Sequence, residues 1–229
     1  MLFFDPNYLI FMIPAFLLMA FTSWYVRSSY EKWSRVPANS GLTGAQAAQR
    51  LISASGLYGV QIQPIPGQMT DHYDPRTKVL NLSQGVANGA SVASLAIAAH
   101  ELGHAMQDAQ DYFPLRFRSA LVPAVNIGSN LGWIMILIGL FLQITQLAWL
   151  GVMVFALGAV FALATLPVEL DASARAKRML FDSGIIVGAE EQRGVNTVLN
   201  AAALTYVAAL VTALLQVLYY ANLVRGRRR

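Results

Sequence analysis

The stretch Ala98-Ala99-His100-Glu101-Leu102-Gly103-His104-Ala105-Met106-Gln107 decides how the rest of the chain is read. On a helix, residues four apart are separated by about 400° of rotation and about 6 Å of rise, so His100 and His104 present their imidazoles on one face, close enough to share an ion. Glu101 sits about 100° round from His100. That puts its carboxylate beside such an ion, where it can take a proton from a water. His-Glu-x-x-His is the zinc hydrolase signature, which makes His100 and His104 candidate metal ligands and Glu101 the candidate catalytic base. At ordinary frequencies of about 2% His and 6% Glu, the pattern arises by accident in about 1 in 200 chains of this length. The competing structural reading is a buried His pair held by a Glu. Context favours the site: two of the three histidines fall in the motif, and Ser91 to Ala99 before it is rich in Ala, free of Gly and Pro, and opens on a Ser that can cap a helix.

Working outward, the composition is that of a membrane protein. Of 229 residues, 56% are apolar and 12% charged, against about 25% charged in a soluble domain. There is no cysteine, which excludes disulfides, thiolate zinc sites and a cysteine nucleophile, so any zinc is held by His and carboxylate. The net charge of +4 comes from Lys and Arg that flank apolar runs without a nucleic-acid-binding motif, so the basic residues suit a membrane surface and no nucleic acid partner is expected.

Towards the N-terminus, Tyr8 to Val26 is an uncharged apolar run long enough to span a bilayer. Asp5 precedes it and Trp24, Tyr25 and Arg27 follow, the pattern of a retained anchor and not of a cleaved signal peptide. Residues 27–119 are polar and carry the motif helix. Within them Thr43 can cap a short amphipathic helix ended by Gly56. Val60 to Gln63 and Lys78 to Leu82 alternate as strands, predicting a small hairpin or sheet. An edge strand beside the metal helix could pair with extended substrate.

Towards the C-terminus, 120–142 and 147–166 are two uncharged runs joined by Gln143-Ile144-Thr145-Gln146, a helical hairpin. Asn126, Ser129 and Asn130 inside the first are expected to face other helices. Residues 167–197 follow, with Pro167 where a helix would begin and Arg175, Lys177 and Arg178 where its last turn would be. A His-Glu-x-x-His site needs a third protein ligand, and Glu169 and Asp171 are the candidates beside the membrane, although carboxylates in a first turn also serve the helix dipole alone. Two spans between His104 and Glu169 return the chain to the side it left, so the ligands can meet. The run 198–223, with Asn200, Thr205, Tyr206 and Gln216, is a less pure span, and Arg225 to Arg229 form a basic end. The expected fold is thus a mainly α membrane protein of three to four transmembrane helices with a small α+β zincin-like metal-binding portion, organised as a single integrated domain over 1–229.

These residues resemble the YugP-type membrane zinc metallopeptidases, with a more distant likeness to the HtpX and CAAX-prenyl endopeptidase group. The likeness rests on the anchor, Asp71-His72-Tyr73-Asp74-Pro75, Ala99-His100-Glu101-Leu102-Gly103-His104-Ala105, the helical hairpin and Glu169-Leu170-Asp171-Ala172-Ser173. It covers almost the whole chain. The resemblance implies a gluzincin-like zinc metalloendopeptidase in a bacterial plasma membrane, with one Zn2+ per chain on His100, His104 and Glu169 and with Glu101 as general base. The HtpX group reads Glu-x-x-x-Asp at its third-ligand helix, whereas here Ser173 holds the fourth position and Asp171 the second.

Residues two apart point about 200° away from one another on a helix, so Glu169 and Asp171 cannot both face the metal. Glu169 shares its face with small Ala172 and Ser173, while an i,i+4 pair with Arg175 gives Asp171 a structural role, with a share in supporting the ligands from behind. His72 and Tyr73 are candidates for contacting substrate and stabilising the oxyanion from the strand side. The expected activity is peptide-bond hydrolysis on a peptide or membrane-protein substrate, with the lipid bilayer as surroundings and a membrane partner or second copy as further company. The rival is a non-catalytic membrane scaffold or chaperone-like protein with a structural zinc or none. A zinc transporter fits less well, since the spans carry no charged ligands. Twelve Lys and Arg between Arg27 and Arg193 lie in the two segments that share the site and none lies in the Gln143 to Gln146 loop, which predicts a cytoplasmic active-site side.

Overall fold

The computed structural model describes residues 6–226, the side chains of Pro6 and Asn7 excepted. The chain runs α1 (Pro6–Ser34), α2 (Gly44–Ser55), β1 (Gln61–Ile65), β2 (His72–Asp74), β3 (Val79–Ser83), α3 (Gln84–Asn88), α4 (Val92–Ala109), α5 (Phe113–Phe141), α6 (Thr145–Phe155), α7 (Leu157–Asp182) and α8 (Ala189–Gly226). Asp5 and the Arg227 to Arg229 end of the basic tail lie outside the described residues.

Four helices among these are long and apolar enough to cross a membrane: Tyr8–Ser34, Phe113–Phe141, Thr145–Asp182 taken through the junction of α6 and α7, and Ala189–Gly226. Phe16, Ile127, Met153 and Leu163 on them are exposed, and lipid chains are the solvent such side chains fit. The Thr145–Asp182 segment has 38 residues, about 57 Å of helix at about 1.5 Å per residue, whereas a hydrocarbon core is about 30 Å thick. Its charged end, from Glu169 on, is therefore length to spare beyond the apolar part.

The described residues form two compact units: one from the stretches up to Ser23, Arg116–Pro167 and from Thr205 on, the other from Trp24–Leu115 and Val168–Leu204. In the first, α5 and α6 pair as the expected hairpin, turning at Gln143 in a left-handed conformation (φ 58°). The two backbones touch: a Cβ on Gly132 would lie 2.6 Å from the Phe155 nitrogen, and one on Gly151 2.6 Å from that of Ile136. Small residues that admit such approach are the usual means of helix association in lipid, where apolar burial drives nothing. Ile136, Leu140, Ala148, Val152 and Val224 form the adjoining buried cluster.

The second unit carries the polar elements. Thr43 caps α2 in a full capping box with Gln46, and Gly56 closes that helix in the left-handed conformation. The strands form the expected small sheet, but the two runs predicted from alternation are not the arms of a hairpin. β1 and β3 are parallel, with Gln61 opposite Val79, and β2 lies antiparallel on the far side of β3, giving the order β1-β3-β2. Parallel neighbours need a crossover of about a dozen residues, and the segment between Ile65 and Val79 supplies it with β2 on the way. Asp71 pins β2 by accepting from the backbone N–H of Ser83 at 2.7 Å and from its hydroxyl at 3.0 Å.

Helix α4 starts as expected, with the Ser91 hydroxyl accepting from Ser94 N–H at 3.2 Å. Buried residues lie on every side of it, the mark of a central helix. A second correction concerns Pro167, which lies inside α7 and not at a helix start. The ring fits helical φ and costs one hydrogen bond, that to the carbonyl of Leu163. Glu169 and Asp171 consequently sit about three turns into the helix, and neither the first nor the last turn carries the expected charges. Helix-dipole stabilisation does not explain them.

Candidate metal centre

Helix α4 contributes His100, Glu101 and His104, and α7 contributes Glu169. Gly103 brings the helices together: a Cβ there would lie 2.6 Å from the carbonyl oxygen of Ala172, so backbone packs on backbone one helical turn from Glu169. His100 Nε2 lies 3.3 Å and His104 Nε2 3.5 Å from the same oxygen, Glu169 Oε2. The two rings stand edge to face, 4.9 Å apart. One ligand atom from each of His100, His104 and Glu169 falls within 4.8 Å of the others. Glu169 is 3% exposed, and a buried carboxylate requires neutralising partners.

Two imidazole nitrogens and a carboxylate oxygen are a donor set that suits zinc, and three protein donors are the number used by hydrolytic sites. The residues therefore fit the ion that the motif implies. Asp171 is turned elsewhere: its Oδ2 accepts from Gln107 Nε2 at 2.8 Å and pairs with Arg175.

Glu101 stands next to this cluster and outside it. Its Oε2 accepts from the backbone N–H of Tyr73 at 3.2 Å, so β2 orients the carboxylate. The Tyr73 phenol donates to Asp108 Oδ2 at 3.0 Å, and Glu101 and Asp108, two turns apart on α4, thus hold both ends of Tyr73. His72 is exposed, with its Nδ1 2.8 Å from the carbonyl of Thr70. Burial pushes the Glu101 carboxyl up, opposed in part by His100 and His104. For His104, burial acts downward, yet hydrogen bonding to Glu169 and the charge of Glu101 outweigh it and leave the imidazole raised. Burial and the bond to Asp108 carry the Tyr73 phenol well above its ordinary range.

Sequence reasoning missed two neighbours of the histidines. Gln107, fully buried, meets His104 Nδ1 at 3.0 Å, and the Ser173 hydroxyl lies 3.2 Å from His100 Nδ1. The available signal for Gln107 was its i+3 position from His104 on an otherwise Ala-rich helix. It also missed Glu191, buried in the same unit, which accepts from Asn39 N–H at 2.9 Å and from Gly188 N–H at 3.1 Å.

The chain matches the family described as "Putative neutral zinc metallopeptidase" over residues 8–225. Among proteins with a curated description, it is 42% identical over 212 residues to the "Putative membrane protease YugP" of Bacillus subtilis (strain 168), an alignment covering 92% of this chain and 94% of that protein. No solved structure matches it. With its four membrane-length helices, its His and Glu cluster and a match that runs nearly from end to end, the chain belongs to this family of zinc metallopeptidases of the membrane.

Proposed function

We propose that the protein is a membrane-bound, gluzincin-like zinc metalloendopeptidase that binds one zinc through His100, His104 and Glu169 and uses Glu101 as general base. The observation that carries this reading is the convergence of His100 Nε2, His104 Nε2 and Glu169 Oε2 beside a carboxylate that is not among them. When bound, zinc supplies Lewis acidity, lowering the pKa of a water towards about 7 and polarising the scissile carbonyl. Glu101 takes the proton of the attacking water on a carboxylate oxygen and delivers it to the leaving nitrogen. Tyr73 keeps that carboxylate aimed through its backbone N–H, so the group that moves the proton stays directed at the site. Extended substrate beside β2 brings His72 and Tyr73 near its backbone.

Three protein ligands favour this reading over the scaffold, because structural zinc sites use four. Purified full-length protein should cleave a casein-type or fluorogenic peptide, lose the activity to a chelator and regain it with zinc. Protein that takes up one zinc yet cleaves nothing in a degenerate peptide library would turn the reading to the scaffold. We place the site on the cytoplasmic side, because the positive charges lie in the segments around it. The chain has no cysteine, so Thr77→Cys and Thr145→Cys provide single labelling sites. Labelling of position 77 from outside intact cells would reverse the orientation.

A further inference from the structure

The histidines are supported in unlike ways. Gln107 Oε1 faces His104 Nδ1 at 3.0 Å, while Gln107 Nε2 lies 2.8 Å from both the Val168 carbonyl and Asp171 Oδ2. Both of the latter accept hydrogen bonds: a backbone carbonyl has no proton to donate, and Asp171 Oδ2 also accepts from Arg175 Nε. The amide therefore cannot be turned over: its NH2 end belongs to Val168 and Asp171, and its oxygen is left for the imidazole. An amide oxygen only accepts. His104 accordingly carries a proton on Nδ1 and directs Nε2 at Glu169. His100 is under no such constraint, because the Ser173 hydroxyl beside its Nδ1 can donate or accept.

We propose that Gln107 is a positioning residue that fixes the tautomer and ring plane of His104 for binding zinc through Nε2, and that Asp171 acts on the site through Gln107. This rests on the metal site proposed above and deepens it. Asp171 is held in turn by Arg175, which also donates to Gln110, so the support of one ligand runs from the buried site through four side chains. The arrangement also accounts for a carboxylate at position 171 that touches no ligand atom of the cluster.

The test compares zinc affinity, by competition with a chromogenic chelator, in the full-length protein and in Gln107→Met and Ser173→Ala. Gln107→Met, which keeps volume and removes both ends of the amide, should weaken zinc binding by about 10- to 100-fold, the usual effect of losing such a partner. Ser173→Ala should have the smaller effect. A second readout needs no variant at the site: 15N-histidine spectra of the zinc-loaded protein, which has three histidines and can be simplified with His72→Ala. They should show His104 protonated at Nδ1 and ligating through Nε2. Ligation through Nδ1, or unchanged affinity in folded Gln107→Met, would overturn the inference alone. Failure of the unaltered protein to bind zinc would overturn the metal site itself.

Discussion

Replacing Gly103 by Ala tests how closely the two helices that carry the proposed zinc ligands must approach. The added Cβ would sit 2.6 Å from the Ala172 carbonyl oxygen and 3.1 Å from the Ala172 carbonyl carbon and Cα. Ordinary C···O contacts begin near about 3.3 Å, so roughly 0.7 Å must be made up. The obstacle is backbone, which cannot swing aside as a side-chain end would, and α7 has to yield. Glu169, three residues before Ala172, moves with it, and the 3.3 and 3.5 Å separations from His100 and His104 widen. Two energies compete: a gain of about 1 kcal/mol from replacing Gly by Ala in a helix, against about 1–3 kcal/mol for overpacking. Overpacking wins by up to about 2 kcal/mol, and the zinc-dependent part of the stability falls further. Gly158→Ala is the control, since its Cβ would meet Ser129 Oγ at an ordinary 3.8 Å. Thermal unfolding in detergent, with zinc and with chelator, should show Gly103→Ala less stable and binding zinc at least about tenfold more weakly, with Gly158→Ala unchanged or stabilised. A Gly103→Ala protein as stable as the parent, with undiminished affinity, would refute the reasoning.

Glu101→Gln should keep its zinc and lose about 10²- to 10⁴-fold in peptide hydrolysis; parallel loss of metal from folded protein would remove Glu101 from the role of base. Zinc content should fall in Glu169→Ala and remain largely in Asp171→Ala, and the reverse pattern would transfer the ligand to Asp171. The Tyr73 phenol has a folded pKa raised above its ordinary 10.0. Its contribution to stability is therefore fully present below about pH 10 and is lost as pH rises through the folded value. Tyr73→Phe should cost about 1–3 kcal/mol at pH 8 by removing the bond to Asp108 and should flatten the decline above pH 10, as read from unfolding temperatures across pH 7 to 11.

The features legible in the sequence were those whose cause is local. Ser91 caps α4 and Thr43 caps α2 through atoms three residues away, and His100 and His104 share a face because helical geometry makes them do so. The spans followed from length and apolarity. Long-range choices escaped. Strand alternation in β1 and β3 is the same for parallel and antiparallel partners, so their direction depended on where the crossover runs. Pro167 read as a helix start because its missing N–H is harmless there, yet an apolar helix that continues through it loses a single bond. Glu169 and Asp171 were separable by their angle around α7, whereas Gln107 read as a neutral helix residue until the neighbours of its amide, 61 and 64 positions away, were in view.

The distance along the chain between the proposed ligands also sets a clock for biogenesis. His100 and Glu169 are 69 residues apart, and the apolar hairpin is made between them. At about 5–20 residues per second, a nascent chain holds His100, Glu101 and His104 for roughly 3–14 s before Glu169 exists. Two imidazoles on one helix are an incomplete donor set for zinc. On the proposed ligand set, the nascent chain thus stays unarmed until both apolar segments of the hairpin have been synthesised and Glu169 has followed them.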